Sequence, residues 1–448
     1  MLAALICALG SLAYQGAAQA SDALPQHVIE RFGAPPAAPT GALPDDIEAS
    51  VLGLVSHTIN QSDWDPSQTS HFDTLAASKD PRLVWLIADM MKFTWRPEFF
   101  RALRELAVSL IAIELKTLRQ RDEIINRIIA WDLPAYPGYL AHKRRIFTNY
   151  VPGWENILVD GNIDWHLVTW GGVNIDTRPF DQTDTVCDCI PAADNPEVSG
   201  ASKATWLEDD DIVFGIEVNG AYRAYPLQIM EVREMVNDTL GGRDLAIPYC
   251  SLCGAAQAYF TDNMPDGVDR PILRTSGLLI RSNKIMFDLN TYSVFDTFRG
   301  VAVTGPLADK NVRLPRVTVT TSDWGSWRQA YPETTVLVEA LALGRDYNLR
   351  ETRDANGPIF PIGDVDPRLP EHEDIVGVVS ASGKAVAFQR SKAMAALKSG
   401  QDVEREGVRL TLDAGGVRAM GKDGSDLGSH QAFWFAWSQF YPGTALWP

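Results

Sequence analysis

"DIVFGIEVNGAYRAY" (Asp211–Tyr225) alternates apolar and polar residues on both sides of Asn219-Gly220. A period of two turns one face of a strand to a core, and Asn-Gly supplies the positive φ angles of a two-residue hairpin turn. The stretch therefore reads as a β-hairpin. "DIVGVVSASGKAVAF" (Asp374–Phe388) repeats the pattern: Asp, Ile and Val recur, then a turn glycine (Gly220, Gly383), an alanine (Ala224, Ala387) and an aromatic (Tyr225, Phe388). Further along, "WGSWRQAYPETTVL" (Trp324–Leu337) and "WFAWSQFYPGTALW" (Trp434–Trp447) share Trp, Trp, Tyr, Pro and Thr in register. On a helix these spacings make a single aromatic face, ended by proline. Hairpin and aromatic helix thus read as a β-rich unit present twice, at 151–340 and in a shorter copy at 341–448. Aromatics that recur in both copies read as packing. Chemistry is better sought in the segment present only once.

Upstream of this unit the period changes. "RPEFFRALRELAVSLIAIELKTL" (Arg96–Leu118) places Phe99, Leu103, Leu106 and Leu110 at spacings of three and four, the apolar stripe of a helix. "SKDPRLVWLIADMM" offers Ser78 and Asp80 as caps and Pro81 in a first turn. Residues 46–150 read as a helical layer, and residues 21–45, rich in Pro, Ala and Gly, as an extended linker. The expected class is α+β: a helical N-terminal layer followed by a duplicated β-rich unit with aromatic helices. His57, His71 and His142 stand alone in the helical part and read as surface or satisfied core residues.

The first twenty residues carry no charge and end in Ala18-Gln19-Ala20 after an apolar run, the pattern of a cleaved export signal without its usual basic start. A periplasmic or secreted protein of the bacterial envelope is the expectation. No later run approaches the roughly 18 apolar residues of a membrane helix. The formal net charge is −17, which repels nucleic acid and anionic lipid. The helical layer would be the docking face for any envelope protein partner.

"AIPYCSLCGAAQAYF" (Ala246–Phe260) sets Cys250 and Cys253 in a Cys-x-x-Cys-Gly turn between apolar runs. Three chemistries use that arrangement. As a metal knuckle it supplies two thiolates, and tetrahedral zinc needs more. Cys187 and Cys189 ("TVCDCIPAADNP") would complete four, or His166 or His430 would contribute, and soft thiolates suit zinc or copper. As a dithiol the pair exchanges with disulfides, although no thioredoxin-like helix follows the second cysteine. As a staple, oxidation in an exported chain would cross-pair Cys187 and Cys189 with Cys250 and Cys253, because a bridge inside Cys-x-Cys is tight.

Taken together, "YCSLCGAAQAYF", "SGLLIRSNKIMFDLNTYSVFDTFRGVAVTGPL" and "AFWFAWSQFYPGT" resemble a bacterial family of exported proteins of unknown function, family 3179. Its Tyr-Cys-Pro-Leu-Cys-Gly element falls on Tyr249, Cys250, Leu252, Cys253 and Gly254, with Ser251 in place of proline. Its Ser-Gly-Leu block falls on Ser276, Gly277 and Leu278, and its Asp-x-x-Thr-x-Ser block on Asp288, Thr291 and Ser293. A His-Glu pair of the family is Arg233-Glu234 here. The resemblance names no reaction. It implies a site centred on Cys250 and Cys253, with Tyr249 and Gly254 shaping it and Ser276, Gly277 and Asp288 beside it for a bound cofactor. Ser276 lacks the Gly-x-Ser-x-Gly setting of a nucleophile elbow, and turn-building is the ordinary use of a residue such as Asp288. The reading is an envelope protein with a Cys-x-x-Cys metal-binding or thiol-redox site; the rival is a non-catalytic scaffold or interaction protein held by disulfides.

Overall fold

The computed structural model describes residues 24–62, 67–182, 186–339 and 357–448. The apolar segment read as an export signal lies outside the described residues. Seven helices come first: α1 (Gln26–Phe32), α2 (Asp45–Asn60), α3 (Ser67–Ser78), α4 (Val84–Phe93), α5 (Pro97–Ile111), α6 (Gln120–Ala130) and α7 (Tyr139–Tyr150). The stripe on α5 does what its spacing requires: Phe99, Leu103, Leu106 and Leu110 are all buried. Asp80 caps the short turn Pro81–Leu83, its carboxylate accepting the Arg82 N–H at 3.0 Å, while Ser78 closes the helix before it. His142 is satisfied in the core by Tyr136 and Glu48, each at 2.9 Å. The stretch read as an extended linker differs from that reading. It contains α1, whose Val28 is buried, and Trp131 Nε1 donates to Gly33 O at 2.8 Å, so apolar burial and one indole bond hold it to the helical layer.

Five small sheets follow, arranged as a five-bladed, propeller-like ring. The mixed α+β class holds; the duplicated unit does not. The two matching stretches fall on two individual sheets. One runs Thr320–Asp323, Ile212–Val218, Ala221–Pro226, Thr335–Leu337, Val198–Gly200; the other runs His430–Phe433, Asp374–Val379, Ala385–Gln389, Ala445–Trp447. Each hairpin is flanked by an antiparallel strand on one side and a parallel strand on the other. What recurs is the local problem of covering a hairpin with tryptophan. Trp327 and Trp437 are buried, and each indole donates to a threonine (Thr334, Thr444) at 3.0 Å. Each ring lies on a glycine, Gly215 or Gly377, where a Cβ would stand 2.1 or 2.2 Å from it. Gly377→Ala is therefore expected to cost about 1–3 kcal/mol through overpacking, read as a lowered denaturant midpoint; an unchanged midpoint would contradict this packing.

The sheet that carries the site has the order Val168–Trp170, Leu273–Ile280, Asn283–Asp288, Val294–Asp296, Val301–Ala302. A second contains Arg243–Cys250 paired with Met235–Leu240, which follows helix α8 (Leu227–Arg233). The helical layer is bolted to the first of these. Lys143, fully buried, pairs with Asp89 at 3.0 Å and donates to Val168 O at 2.6 Å. Trp154 Nε1 donates to Ser276 O at 2.8 Å. Among the described residues no helix is long and apolar enough to cross a membrane.

Candidate functional site

Strand Arg243–Cys250 runs into a single 3-10 turn, Ser251–Cys253, and returns as Ala255–Ala256, pairing Tyr249 with Ala256 and Cys250 with Ala255. Gly254 makes the reversal with φ 58°, and a Cβ there would stand 2.9 Å from the Phe433 ring. The turn brings both sulfurs to one side: Cys250 Sγ and Cys253 Sγ are 2.7 Å apart, and both residues are buried. Cys253 Sγ lies 3.5 Å from Ser282 O and 3.4 Å from Asn283 Oδ1.

An ion pair stands beside them. Glu234 follows α8 with φ 48°, a left-handed conformation that a glutamate keeps only where its surroundings hold it. Its carboxylate meets Lys284 Nζ at 2.5 Å and accepts the Ser251 hydroxyl at 2.7 Å. Lys284 also donates to Glu234 O at 2.9 Å and Tyr249 O at 2.8 Å. Its three ammonium hydrogens are thus engaged, which is what lets a lysine sit at 5% side-chain exposure. Burial pushes the Cys250 thiol up, but the bond to Cys253 and the Lys284 charge outweigh it against Glu234, and the thiol is held below its ordinary value.

A cavity of about 310 Å³ opens onto Cys250, and Cys253 is not part of its wall. Glu234, Ser251 and Lys284 form its polar side; Val173, Ile190, Leu278, Ile359 and Phe360 are among its apolar walls. Gly277 belongs to the wall as well. It takes φ 75° at a break in register between Thr275 and Leu279, and a Cβ would stand 2.2 Å from Val173 O. No other residue fits there.

The remaining candidates separate. Tyr249 is buried against Phe214 and gives the site its carbonyl rather than its ring. Ser276 donates to Ile285 O at 2.6 Å and accepts from Leu278 N, so it stitches the strand together. Asp288 accepts from Ile272 N, Thr291 N and the Thr291 hydroxyl, closing a turn away from the cavity wall. Arg233 pairs with Glu339 at 2.5 Å and is not in the wall. His430 is buried beside Phe298 and Trp437, and burial pushes it down to about 3; His166 lies against Trp85 and is pushed down to about 4 by the same cause. Neither lines the cavity.

Cys187 and Cys189 correct two expectations. They are bonded to each other, with Cα atoms 5.1 Å apart, so the cross-pairing with Cys250 and Cys253 is absent. The four-thiolate cluster is absent too. Among the described residues the one set of three or more candidate ligand side chains within mutual reach is Asp176, Cys187 and Cys189, which could hold a metal ion. Both sulfurs are taken by the disulfide, and the Asp176 carboxylate is taken by Arg178 and Ala192 N. A metal there would need the bridge reduced and the carboxylate released.

Lys284 is the participant that sequence reasoning passed over. A single lysine inside the apolar strand "NKIMFD" (Asn283–Asp288), buried throughout, was the available signal.

The pattern of one known family, described as a protein of unknown function (DUF3179), matches residues 187–425, more than half of the chain. The chain is a DUF3179 protein. No curated protein matches it, and no solved structure does. The matched span encloses both cysteine pairs and the Glu234–Lys284 pair. In this DUF3179 protein it leaves out the helical layer and Gly171 and Val173 of the cavity wall.

Proposed function

We propose that this DUF3179 protein is an exported thiol-redox protein whose Cys250–Cys253 dithiol cycles with a disulfide. The observation that carries the reading is the 2.7 Å approach of the two sulfurs with Cys250 on a cavity wall. The cavity-facing thiol is also held toward thiolate, the form that attacks. Cys253, behind it, is placed to resolve. The metal reading of the same pair is less well supported, because no third His, Cys, Asp or Glu among the described residues joins it within ligand distance. Zinc or copper therefore belongs, if anywhere, to the reduced Asp176, Cys187 and Cys189 group. The Ala18-Gln19-Ala20 ending supports export, and the helical layer is the surface offered to an envelope partner.

The test is equilibration of the full chain with mixtures of reduced and oxidised dithiothreitol, followed by peptide mapping. The expected result is a Cys250–Cys253 bridge that forms and reopens reversibly, with Cys187–Cys189 mapped separately. Cys250→Ser should abolish the first bridge and leave the second. Two thiols at 250 and 253 that never pair under any mixture, or stoichiometric zinc released by Cys250→Ser, would sink the redox reading.

A further inference from the structure

We propose that the oxidant this dithiol receives is a small organic hydroperoxide with an apolar body, with Cys250 the sulfur it meets; this rests on the redox reading above. Access sets the first condition. Cys250 is 2% exposed and Cys253 0%, so a protein disulfide cannot bring its own sulfur to either without unfolding the site. Whatever oxidises them is small enough for a cavity of about 310 Å³.

The wall sets the second condition. Val173, Ile190, Leu278 and Phe360 favour an apolar body, and a charged small disulfide would shed its hydration with nothing to replace it. The polar side offers no substitute, because its donors are already engaged. Ser251 donates to Glu234 at 2.7 Å, Thr275 donates to Ile190 O at 2.9 Å, and Lys284 holds Glu234 and two carbonyls. A quinone, which needs donors on its two oxygens, finds none free among these side chains. An O–O bond needs only the sulfur. The Lys284 charge that favours the thiolate also favours the alkoxide as it develops.

The chemistry balances without a cofactor. The Cys250 thiol gives its proton to water and the thiolate attacks the terminal oxygen of R–O–OH; a sulfur–oxygen bond forms, the oxygen–oxygen bond breaks, and the alkoxide takes that proton back through water and leaves as the alcohol. Cys253 sulfur then attacks Cys250 Sγ, the sulfur–oxygen bond breaks, and hydroxide leaves with the Cys253 proton as water. The sum is two thiols and one hydroperoxide giving one disulfide, one alcohol and one water.

The experiment mixes the fully reduced chain with cumene hydroperoxide, hydrogen peroxide, glutathione disulfide or a short-chain ubiquinone, and follows loss of the two thiols by mass. Cumene hydroperoxide should react about 100-fold faster than any of the others, as apolar-body recognition predicts. Cys253→Ser should stop at a sulfenate on Cys250 that dimedone traps. Ile359→Glu, at a half-buried wall position, should slow cumene hydroperoxide about 10-fold more than it slows hydrogen peroxide. Equal rates for all oxidants, or a faster quinone or glutathione disulfide, would overturn the proposal while the dithiothreitol equilibrium still upheld the dithiol. Failure of every oxidant, dithiothreitol included, would remove the redox reading itself.

Discussion

Arg274→Met is expected to destabilise the protein by about 3–5 kcal/mol, the cost of leaving a buried carboxylate without its counter-ion. Arg274 lies in the strand Leu273–Ile280 with no side-chain exposure, and Asp194 and Asp176 facing it have none either. The guanidinium grips Asp194 with two nitrogens, one of them at 2.7 Å from Oδ1, and its Nε is 3.7 Å from Asp176. Asn237 adds a bond to Asp194 at 2.9 Å, and Arg178 holds Asp176. Methionine fills the volume but pairs with neither acid. The fall should appear in the denaturant midpoint, and adding Asp194→Asn should recover most of it, because the stranded charge goes with the second change. A single variant that loses less than about 1 kcal/mol would mean that solvent reaches Asp194, contrary to its burial.

Lys284→Met should cost a comparable amount, about 3–5 kcal/mol, by stranding Glu234 at the same depth. It also has a chemical signature that a merely structural lysine would lack. The Lys284 charge is one of the influences that hold the Cys250 thiol down. The pH at which iodoacetamide alkylates Cys250 half-maximally should therefore rise in Lys284→Met and in the better-folded Lys284→Met/Glu234→Gln pair. Folding lowers this thiol's pKa, so the thiolate's contribution to stability is full above the unfolded thiol's value and is lost as the pH falls through the folded one. The stability gap between the wild type and the double variant should narrow across that window on acidification. An alkylation profile that does not move would show that Lys284 serves only as the counter-ion of Glu234 and a clamp on the backbone at 234 and 249.

The local features of this chain were legible and the distant ones were not. The α5 stripe, the tryptophan faces and the strand, turn and strand around Cys250 each depend on residues a few positions apart, and each forms as its spacing dictates. The duplicated unit failed because similarity between two hairpins reports how each is covered, not how many sheets surround them. The cysteine partners failed for a related reason: a Cys-x-Cys bridge is tight in general, whereas the local path of this chain brings the Cys187 and Cys189 Cα atoms to 5.1 Å and closes it. Glu234, at the end of α8, and Lys284, in a strand, lie fifty positions apart, and nothing in either neighbourhood announces the other. Charged residues inside apolar strands, Arg274 and Lys284, were the clue at hand. Each is paired with a buried acid from a distant part of the chain.

The edge formed by Val168–Trp170 has a practical meaning. It pairs Val168 with Ile280, Thr169 with Leu279 and Trp170 with Leu278, yet it precedes the family's matched span. A fragment trimmed to that span would bare the backbone of Leu278–Ile280 at the apolar end of its strand, an open template for another chain to add to. Its first failure would be self-association, and the chamber beside Cys250 would lose a side at the same moment.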